Sequence, residues 1–146
     1  MKIRKLQQND LLTCSKLLES AYGFPPYNEI FKEHTAKSYI DNKYSICKDA
    51  CFVALNEKNN IIAFIFFNLS HWNKGPQAIL EELVVDPSYQ NKGIGRELLK
   101  YSHNYLKSLD IKYIVLWAKN NERLINFYKK EGYLPTDDFV VMFKNF

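Results

Sequence analysis

The sequence lacks several features that mark special classes of protein. Its 146 residues include only three cysteines and five glycines. No apolar run approaches the roughly 20 residues that a membrane-spanning helix needs. Lys and Arg total 20 against 16 Asp and Glu, and no basic stripe or arm stands out. We therefore expect neither a membrane protein nor a nucleic-acid-binding protein.

The few cysteines also limit the chemistry that we expect. Cys14, Cys47 and Cys51 are odd in number and form no C-x-x-C motif, which is typical of free thiols in a reducing compartment. No second Cys/His pair completes a zinc site, so we predict no metal. Residues 1–5 lead into polar residues instead of a signal-peptide apolar core, and we expect a cytoplasmic protein.

What is present is typical of one globular domain over residues 1–146. Hydrophobic residues make up 47% of the chain and charged residues 25%. Apolar alternation predicts strands, and helical spacing predicts helices between them. The predicted strands are residues 2–6, 51–55, 61–67, 78–85, 113–117 and 139–143. The predicted helices are residues 10–21, 28–41, 95–109 and 121–131. This order indicates an α/β fold around a mixed sheet of six or seven strands.

A glycine-containing loop, residues 90–96, lies between a predicted strand and a long amphipathic helix. Gly93 and Gly95 let a ligand approach the backbone, and the loop sits at the positive end of the helix dipole. Lys92 and Arg96 add positive charge nearby. The spacing matches neither a G-x-x-x-x-G-K-[ST] loop nor G-x-G-x-x-G. The loop can bind phosphate, although two glycines alone also fit a plain tight turn.

Two segments in order resemble the GNAT superfamily of acyl-CoA-dependent N-acetyltransferases. Residues 83–99 contain its Q/R-x-x-G-x-G/A core, and residues 121–133 resemble its N-x-x-A-x-x-F-Y-x-x-x-G-F segment. Leu124 replaces the common alanine, and Tyr133 replaces the usual phenylalanine. The first half of the chain fits the family by element order only.

The resemblance implies a GNAT-like fold with about four helices and a sheet that splays between its fourth and fifth strands. Acetyl-CoA, the acyl donor, would lie in that gap, with the backbone of Val84 and Val85 facing the thioester carbonyl and Asn121 holding the pantetheine arm. The residues implied to bind the donor are Leu83, Val84, Val85, Gln90, Asn91, Lys92, Gly93, Ile94, Gly95, Arg96, Asn121 and Tyr128.

The resemblance also implies catalytic roles. Tyr128 matches the general acid that protonates the departing thiolate. Glu81 and Glu82 are candidates for the base that takes the proton of the amine. Strand alternation sends their side chains to opposite faces, so we expect only one to reach the acceptor. We favour Glu81, whose place resembles the glutamate of small-amine members.

Aromatic and acidic residues predict the acceptor site by position, since they attract a cationic amine. The candidates are Tyr22, Phe24, Tyr27, Trp72 and Glu81, with Asp137 and Asp138 as further carboxylates. The histidines, His34, His71 and His103, are interpreted as surface or packing residues, because no Ser/His/Asp pattern accompanies them.

We predict acetyl transfer from acetyl-CoA to a primary amine of a small molecule by direct attack in a ternary complex. Two alternatives remain open. The acceptor could be a protein N-terminus or lysine, or the chain could be a non-catalytic acyl-CoA-binding regulatory module. The resemblance leaves a homodimer open as well.

Overall fold

The computed structural model describes residues 1–146 and has an α/β fold with one five-stranded sheet. The strands are β1 (Lys2–Lys5), β2 (Cys51–Leu55), β3 (Ile61–Trp72), β4 (Gly75–Val85) and β5 (Tyr113–Leu116). The helices are α1 (Leu11–Tyr22), α2 (Thr35–Cys47), α3 (Ile94–Ser108) and α4 (Glu122–Lys130). None of the helices combines the length and apolar character that a membrane crossing requires.

The strands lie in the sheet in their order along the chain. The pairs from β1 to β4 are antiparallel, whereas β4 and β5 are parallel. A parallel pair needs a long crossover connection, and α3 supplies it. The α/β class with a mixed sheet and four helices is thus confirmed.

Both faces of the sheet are buried, which explains why β3 reads as a nearly continuous apolar run. Phe64 and Phe66 pack with α1 and α2 on one face. Ile65 and Phe67 pack with α3 on the other. All four side chains are fully buried. The alternation along one strand therefore builds two hydrophobic cores, one under each helical layer.

The sheet splays between its fourth and fifth strands, as predicted. The pairing of β4 with β5 ends at Leu80 and Leu116, yet β4 continues to Val85. The register between β3 and β4 shifts at this point. Phe66 pairs with Glu82, whereas the next residue, Phe67, pairs with Leu80, so Glu81 has no partner in β3. Glu81 is the extra residue of a β-bulge, which bends the strand. The bulge thus lies next to the last residue that pairs with β5.

The predicted last strand is wrong. Residues 139–143 form no strand and are 80 to 89% exposed, so the sheet has five strands instead of six or seven. The helix predicted at 28–41 begins only at Thr35, because Asn28 and His34 have positive φ angles of 52° and 65°. The β3–β4 hairpin is longer than predicted, since Trp72 pairs with Gly75 at its tip.

The three cysteines are free thiols, as the sequence predicts, and all three are buried. The Cys51 thiol donates a hydrogen bond to the Cys47 carbonyl oxygen at 2.8 Å. Burial raises the pKa of Cys47 to about 12. These thiols pack in the core, and nowhere do three or more His, Cys, Asp or Glu residues group so that they could hold a metal ion.

Candidate active site

The glycine-containing loop turns into α3 through two glycines with different roles. Gly93 has a φ of 81°, which favours glycine, and a Cβ there would meet nothing within 4 Å. Gly95 lies close to the strand, since a Cβ there would be 3.4 Å from Val85 Cγ2. No side chain caps the N-terminus of α3. Free N–H groups of a 15-residue helix thus face open space, which fits a phosphate group.

A cavity of about 520 Å³ runs from this loop along the unpaired end of β4 to α4 and the end of α1. It brings together the residues that the sequence predicts for donor binding, with one exception. Its lining includes Leu83, Val84, Val85, Gln90, Asn91, Gly93, Ile94, Gly95, Arg96, Asn121 and Tyr128.

Lys92 is the exception, because its ammonium turns back onto the preceding turn. Its Nζ donates to the Ser88 carbonyl oxygen at 2.9 Å and lies 5.0 Å from the centre of the Tyr89 ring. Arg123, which the sequence did not predict as a site residue, also lines the cavity and donates to Asn91 Oδ1 at 2.6 Å. Its position on α4 carries no local signal of a contact with this loop.

Asn121 and Tyr128 reach the cavity from α4. Asn121 is the N-cap of this helix, and its Oδ1 accepts a hydrogen bond from the Leu124 N–H at 3.3 Å. Its amide NH₂ group is therefore the part left to donate to a ligand. The Tyr128 ring packs edge-on against Phe127 and Tyr133, with centroid separations of 5.1 and 5.5 Å. Burial raises the pKa of the Tyr128 hydroxyl, which keeps it protonated.

A second, smaller cavity of about 50 Å³ shares Tyr22, Tyr27 and Tyr128 with the first. Both glutamates line it too, as do Leu116 at the end of β5 and Trp117 directly after that strand. Tyr22 and Tyr27 stack with their ring centroids 4.2 Å apart. The small cavity is thus an aromatic and acidic extension of the larger one, and Tyr128 lies where the two meet.

Glu82 is buried in a cradle of tyrosines. The Tyr22 hydroxyl donates to its Oε2 at 3.0 Å, and the Tyr39 hydroxyl donates to its Oε1. Burial raises the pKa of Glu82 above its usual range, and the two tyrosine hydrogen bonds oppose that shift. The same burial, together with the Glu82 charge, raises the pKa of Tyr22 and Tyr39. A carboxylate with a raised pKa is suited to accept a proton.

Glu81 does not point away from Glu82, contrary to the prediction from strand alternation. The Lys43 ammonium of α2 lies 2.5 Å from Glu81 Oε2, while Tyr39 of the same helix contacts Glu82. The bulge explains this, since its extra residue places two successive side chains on the same face. The positive charge of Lys43 balances the negative charge of Glu81, whereas Glu82 accepts hydrogen bonds from uncharged hydroxyls. Tyr39 and Lys43 were not predicted as site residues, because they are distant from β4 in the sequence.

The remaining predicted acceptor residues divide into two groups. Tyr22 and Tyr27 line both cavities. Phe24 and Trp72 lie outside both and are 57% and 69% exposed. Trp72 is at the tip of the β3–β4 hairpin, beyond the strands predicted at residues 61–67 and 78–85. These two positions lend no support to a substrate role.

His103 is a packing residue, in line with its interpretation from sequence. Its Nε2 lies 2.8 Å from the Tyr133 hydroxyl, and burial lowers the pKa of the ring. Tyr133 stands where the resembled family usually has phenylalanine. Its hydroxyl makes the hydrogen bond with His103, and its ring packs against Tyr128.

This fold and this cleft match the family that the two sequence segments resemble. The chain belongs to the acetyltransferase (GNAT) family, whose pattern matches residues 14–133. The streptothricin acetyltransferase of Streptomyces lavendulae is 24% identical over 111 residues, covering 75% of this chain and 58% of that protein. The chain spans between about a quarter and three fifths of the length of the curated relatives that it matches.

Solved structures share the fold over nearly the whole chain. A possible acetyltransferase from Clostridium difficile 630 superposes with a TM-score of 0.83 at 16% identity, covering 99% of this chain and 97% of that one. The PaiA N-acetyltransferase from Thermoplasma acidophilum, solved in complex with coenzyme A, has a TM-score of 0.73 at 26% identity, with 94% and 92% covered.

Proposed function

We propose that this protein transfers an acetyl group from acetyl-CoA to a primary amine of a small molecule, by direct attack in a ternary complex. One observation carries the proposal: Glu82, a buried carboxylate with a raised pKa, and Tyr128, a partly buried phenol, line the same small cavity at the end of the larger cleft. A base and an acid thus lie together where acceptor and thioester would meet.

At the donor end, the chain offers groups that suit a phosphorylated ligand with an amide-rich arm. The N–H groups at the start of α3 can donate hydrogen bonds to the phosphates, and the Arg96 guanidinium can pair with their negative charge. The Arg96 side chain is oriented by an ion pair to Glu131, with Nε 2.5 Å from Oε1. The unpaired backbone of residues 83–85 and the Asn121 amide line the cleft where the arm would lie.

At the acceptor end, Glu82 accepts a proton from the amine nitrogen as that nitrogen bonds to the thioester carbonyl carbon. A backbone N–H near Val84 donates to the carbonyl oxygen while it carries negative charge. The carbon–sulfur bond then breaks, and Tyr128 donates its proton to the thiolate. The amide and free coenzyme thiol leave with the proton count balanced. We propose Glu82 in place of Glu81, because Lys43 already pairs with Glu81.

A small-molecule acceptor is supported by the shape of the acceptor end. The small cavity is only about 50 Å³ in volume, and Tyr22 and Tyr27 line it. A protein acceptor would call for an open groove. The streptothricin acetyltransferase relative is named for a small molecule, which favours the same class of acceptor here. The cytoplasm stays the predicted location.

The test is the release of free thiol from acetyl-CoA in the presence of a panel of small amines and, separately, lysine-containing peptides. We expect amine-dependent release, which Glu82→Gln reduces by about 10² or more, the usual contribution of a general base. Glu81→Gln is the matched control and should keep most of the activity. A chain that binds acetyl-CoA but releases no thiol with any acceptor would be a binding module, and equal loss in both variants would remove Glu82 as the base.

A further inference from the structure

Lys43 contacts the acceptor end of the cleft from α2. Its Nζ lies 2.5 Å from Oε2 of Glu81, which lines the small cavity, and 5.5 Å from the centre of the Tyr39 ring. The Lys43 side chain is only 21% exposed and the Glu81 side chain 14% exposed. Water and salt screen a partly buried ion pair less than an exposed one. The ammonium is therefore held beside Glu81 by an ion pair and a cation–π contact.

The two carboxylates at the acceptor end leave a single uncompensated negative charge. Glu81 and Glu82 both line the small cavity. The Lys43 ammonium balances the charge of Glu81. Glu82 instead accepts hydrogen bonds from tyrosine hydroxyls, which carry no charge. One negative charge is thus free to attract a cationic amine.

Charged groups farther from the two carboxylates do not change this balance. Lys119 donates from Nζ to the Tyr27 carbonyl oxygen at 3.3 Å, and its ammonium lies 5.4 Å from the centre of the Tyr27 ring. Glu29 lies near the same tyrosine and carries the opposite charge. Both residues are exposed, so solvent screens them. The acceptor end as a whole therefore offers one negative charge.

We propose that Lys43 determines which amines the site accepts: its ammonium occupies the place beside Glu81 that a second ammonium of the substrate would take. The preferred acceptor then carries a single positive charge, on the amine that reacts, and its remainder is uncharged. A diamine brings a second ammonium that has no free carboxylate and lies near Lys43, a like charge. The inference rests on the proposed function, because it concerns the acceptor of that same site.

The β-bulge makes both carboxylates reachable for one substrate. It places Glu81 and Glu82 on the same face of β4, and both line the same cavity of about 50 Å³. A diamine could therefore pair its two ammonium groups with the two carboxylates if Lys43 were absent. The Lys43 side chain is itself an alkyl ammonium, so it makes the contact that the second amino group of a diamine would make. Lys43→Met keeps most of the apolar stem and removes this ammonium.

The experiment compares short straight-chain monoamines, from propylamine to hexylamine, with the diamines of the same length. Thiol release at saturating acetyl-CoA gives kcat/KM for each amine, and calorimetry gives its dissociation constant for the protein with coenzyme A. We expect the wild-type chain to prefer each monoamine over the diamine of the same length. The ratio between the two amines is the quantity to compare, because any effect of a substitution on the base Glu82 is common to both.

Lys43→Met should shift the preference toward the diamine by roughly tenfold in both measurements, since it frees Glu81 to bind the second ammonium. Adding Glu81→Gln removes the freed carboxylate and should restore the wild-type preference. Lys37→Met is the matched control and should leave the preference unchanged, because Lys37 is on the same helix, pairs with Asp41 at 2.5 Å and lines neither cavity. Circular dichroism shows which variants are folded, and Lys43→Gln takes the place of Lys43→Met if the latter is not.

A wild-type preference for diamines, or an unchanged preference in a folded Lys43 variant, would overturn the role of Lys43. A diamine preference that survives Glu81→Gln would do the same, because the second ammonium would then not bind Glu81. If no amine releases thiol, the proposed function fails, yet the calorimetric preference still decides the role of Lys43. Thiol release without a shift in preference leaves the proposed function standing and removes Lys43 as the determinant. An absence of binding by every amine would overturn both.

Discussion

The hydroxyl of Tyr128 can be tested separately from its ring, because the substitution Tyr128→Phe removes the hydroxyl and keeps the aromatic ring. The Tyr128 ring is held by edge-on contacts with Phe127 and Tyr133 at centroid separations of 5.1 and 5.5 Å. Tyr128→Phe retains both contacts and removes only the proton donor that lines both cavities. We therefore expect a folded protein with close to the wild-type melting temperature.

The expected loss follows from the role of the hydroxyl. A general acid contributes about 10² to 10⁴ in rate, or roughly 3 to 5 kcal/mol of barrier. The loop that we propose to bind the donor is at the other end of the cleft, so the KM for acetyl-CoA should change little while kcat falls. Burial raises the pKa of Tyr128 above the ordinary value of about 10, so the difference should persist from neutral to moderately alkaline pH.

The assay is the initial rate of thiol release at saturating acetyl-CoA and amine, with Tyr133→Phe as the matched control. Tyr133 is a neighbouring, partly buried tyrosine; its hydroxyl contacts His103, and the residue lines neither cavity. Its variant loses one hydroxyl in the same region and should keep kcat within a few-fold of wild type. An unchanged kcat in Tyr128→Phe, or an equal fall in Tyr133→Phe, would refute the acid role.

Three further outcomes follow from the structure. The pKa of Glu82 is raised, so kcat/KM should fall as the pH drops through a value above 4.5, and Glu82→Gln should abolish this limb of the pH profile. Gly93 has a φ of 81°, so Gly93→Ala should lower the free energy of unfolding by about 1 kcal/mol in denaturant titration and raise the KM for acetyl-CoA; unchanged values would contradict the strained turn. The pKa of Asp10 is lowered: burial opposes the shift, but hydrogen bonds from Arg4 and from the Gln7 backbone outweigh it. Its stabilisation should be complete above about pH 4 and lost as the pH falls through its folded pKa, and Asp10→Asn should flatten the acid side of a stability curve measured by urea titration.

The sequence could predict the elements whose signals are local. The glycine-containing loop, the helix after it and the helix predicted at residues 121–131 all lie where the sequence predicts them. These features depend on a few neighbouring residues, because capping and left-handed turns are set within one turn of the chain. The predicted start of the second helix, by contrast, is wrong. Asn28 and His34 have positive φ angles, which end helical geometry, and no strong local pattern in the sequence indicates that conformation.

The acceptor end of the site depended on contacts that are distant in the sequence. The bulge at Glu81 arises from the register between β3 and β4, and it places both glutamates on the face of α2. Tyr39 and Lys43 become part of the site only because that helix packs there. Whether residues 139–143 form a strand also depends on a neighbouring strand, which their own composition cannot supply.

The sequence by itself thus determined the half of the cleft that we propose for the donor. The glycine-containing loop and the helix that it starts are built from adjacent residues, and two such segments in order identify the family. Only the tertiary structure decided the acceptor half, namely which glutamate is held by tyrosines and which is paired with lysine. The physical reason is that strand register and helix packing join residues far apart in the chain, and burial, which sets the pKa of Glu82, exists only once they are joined.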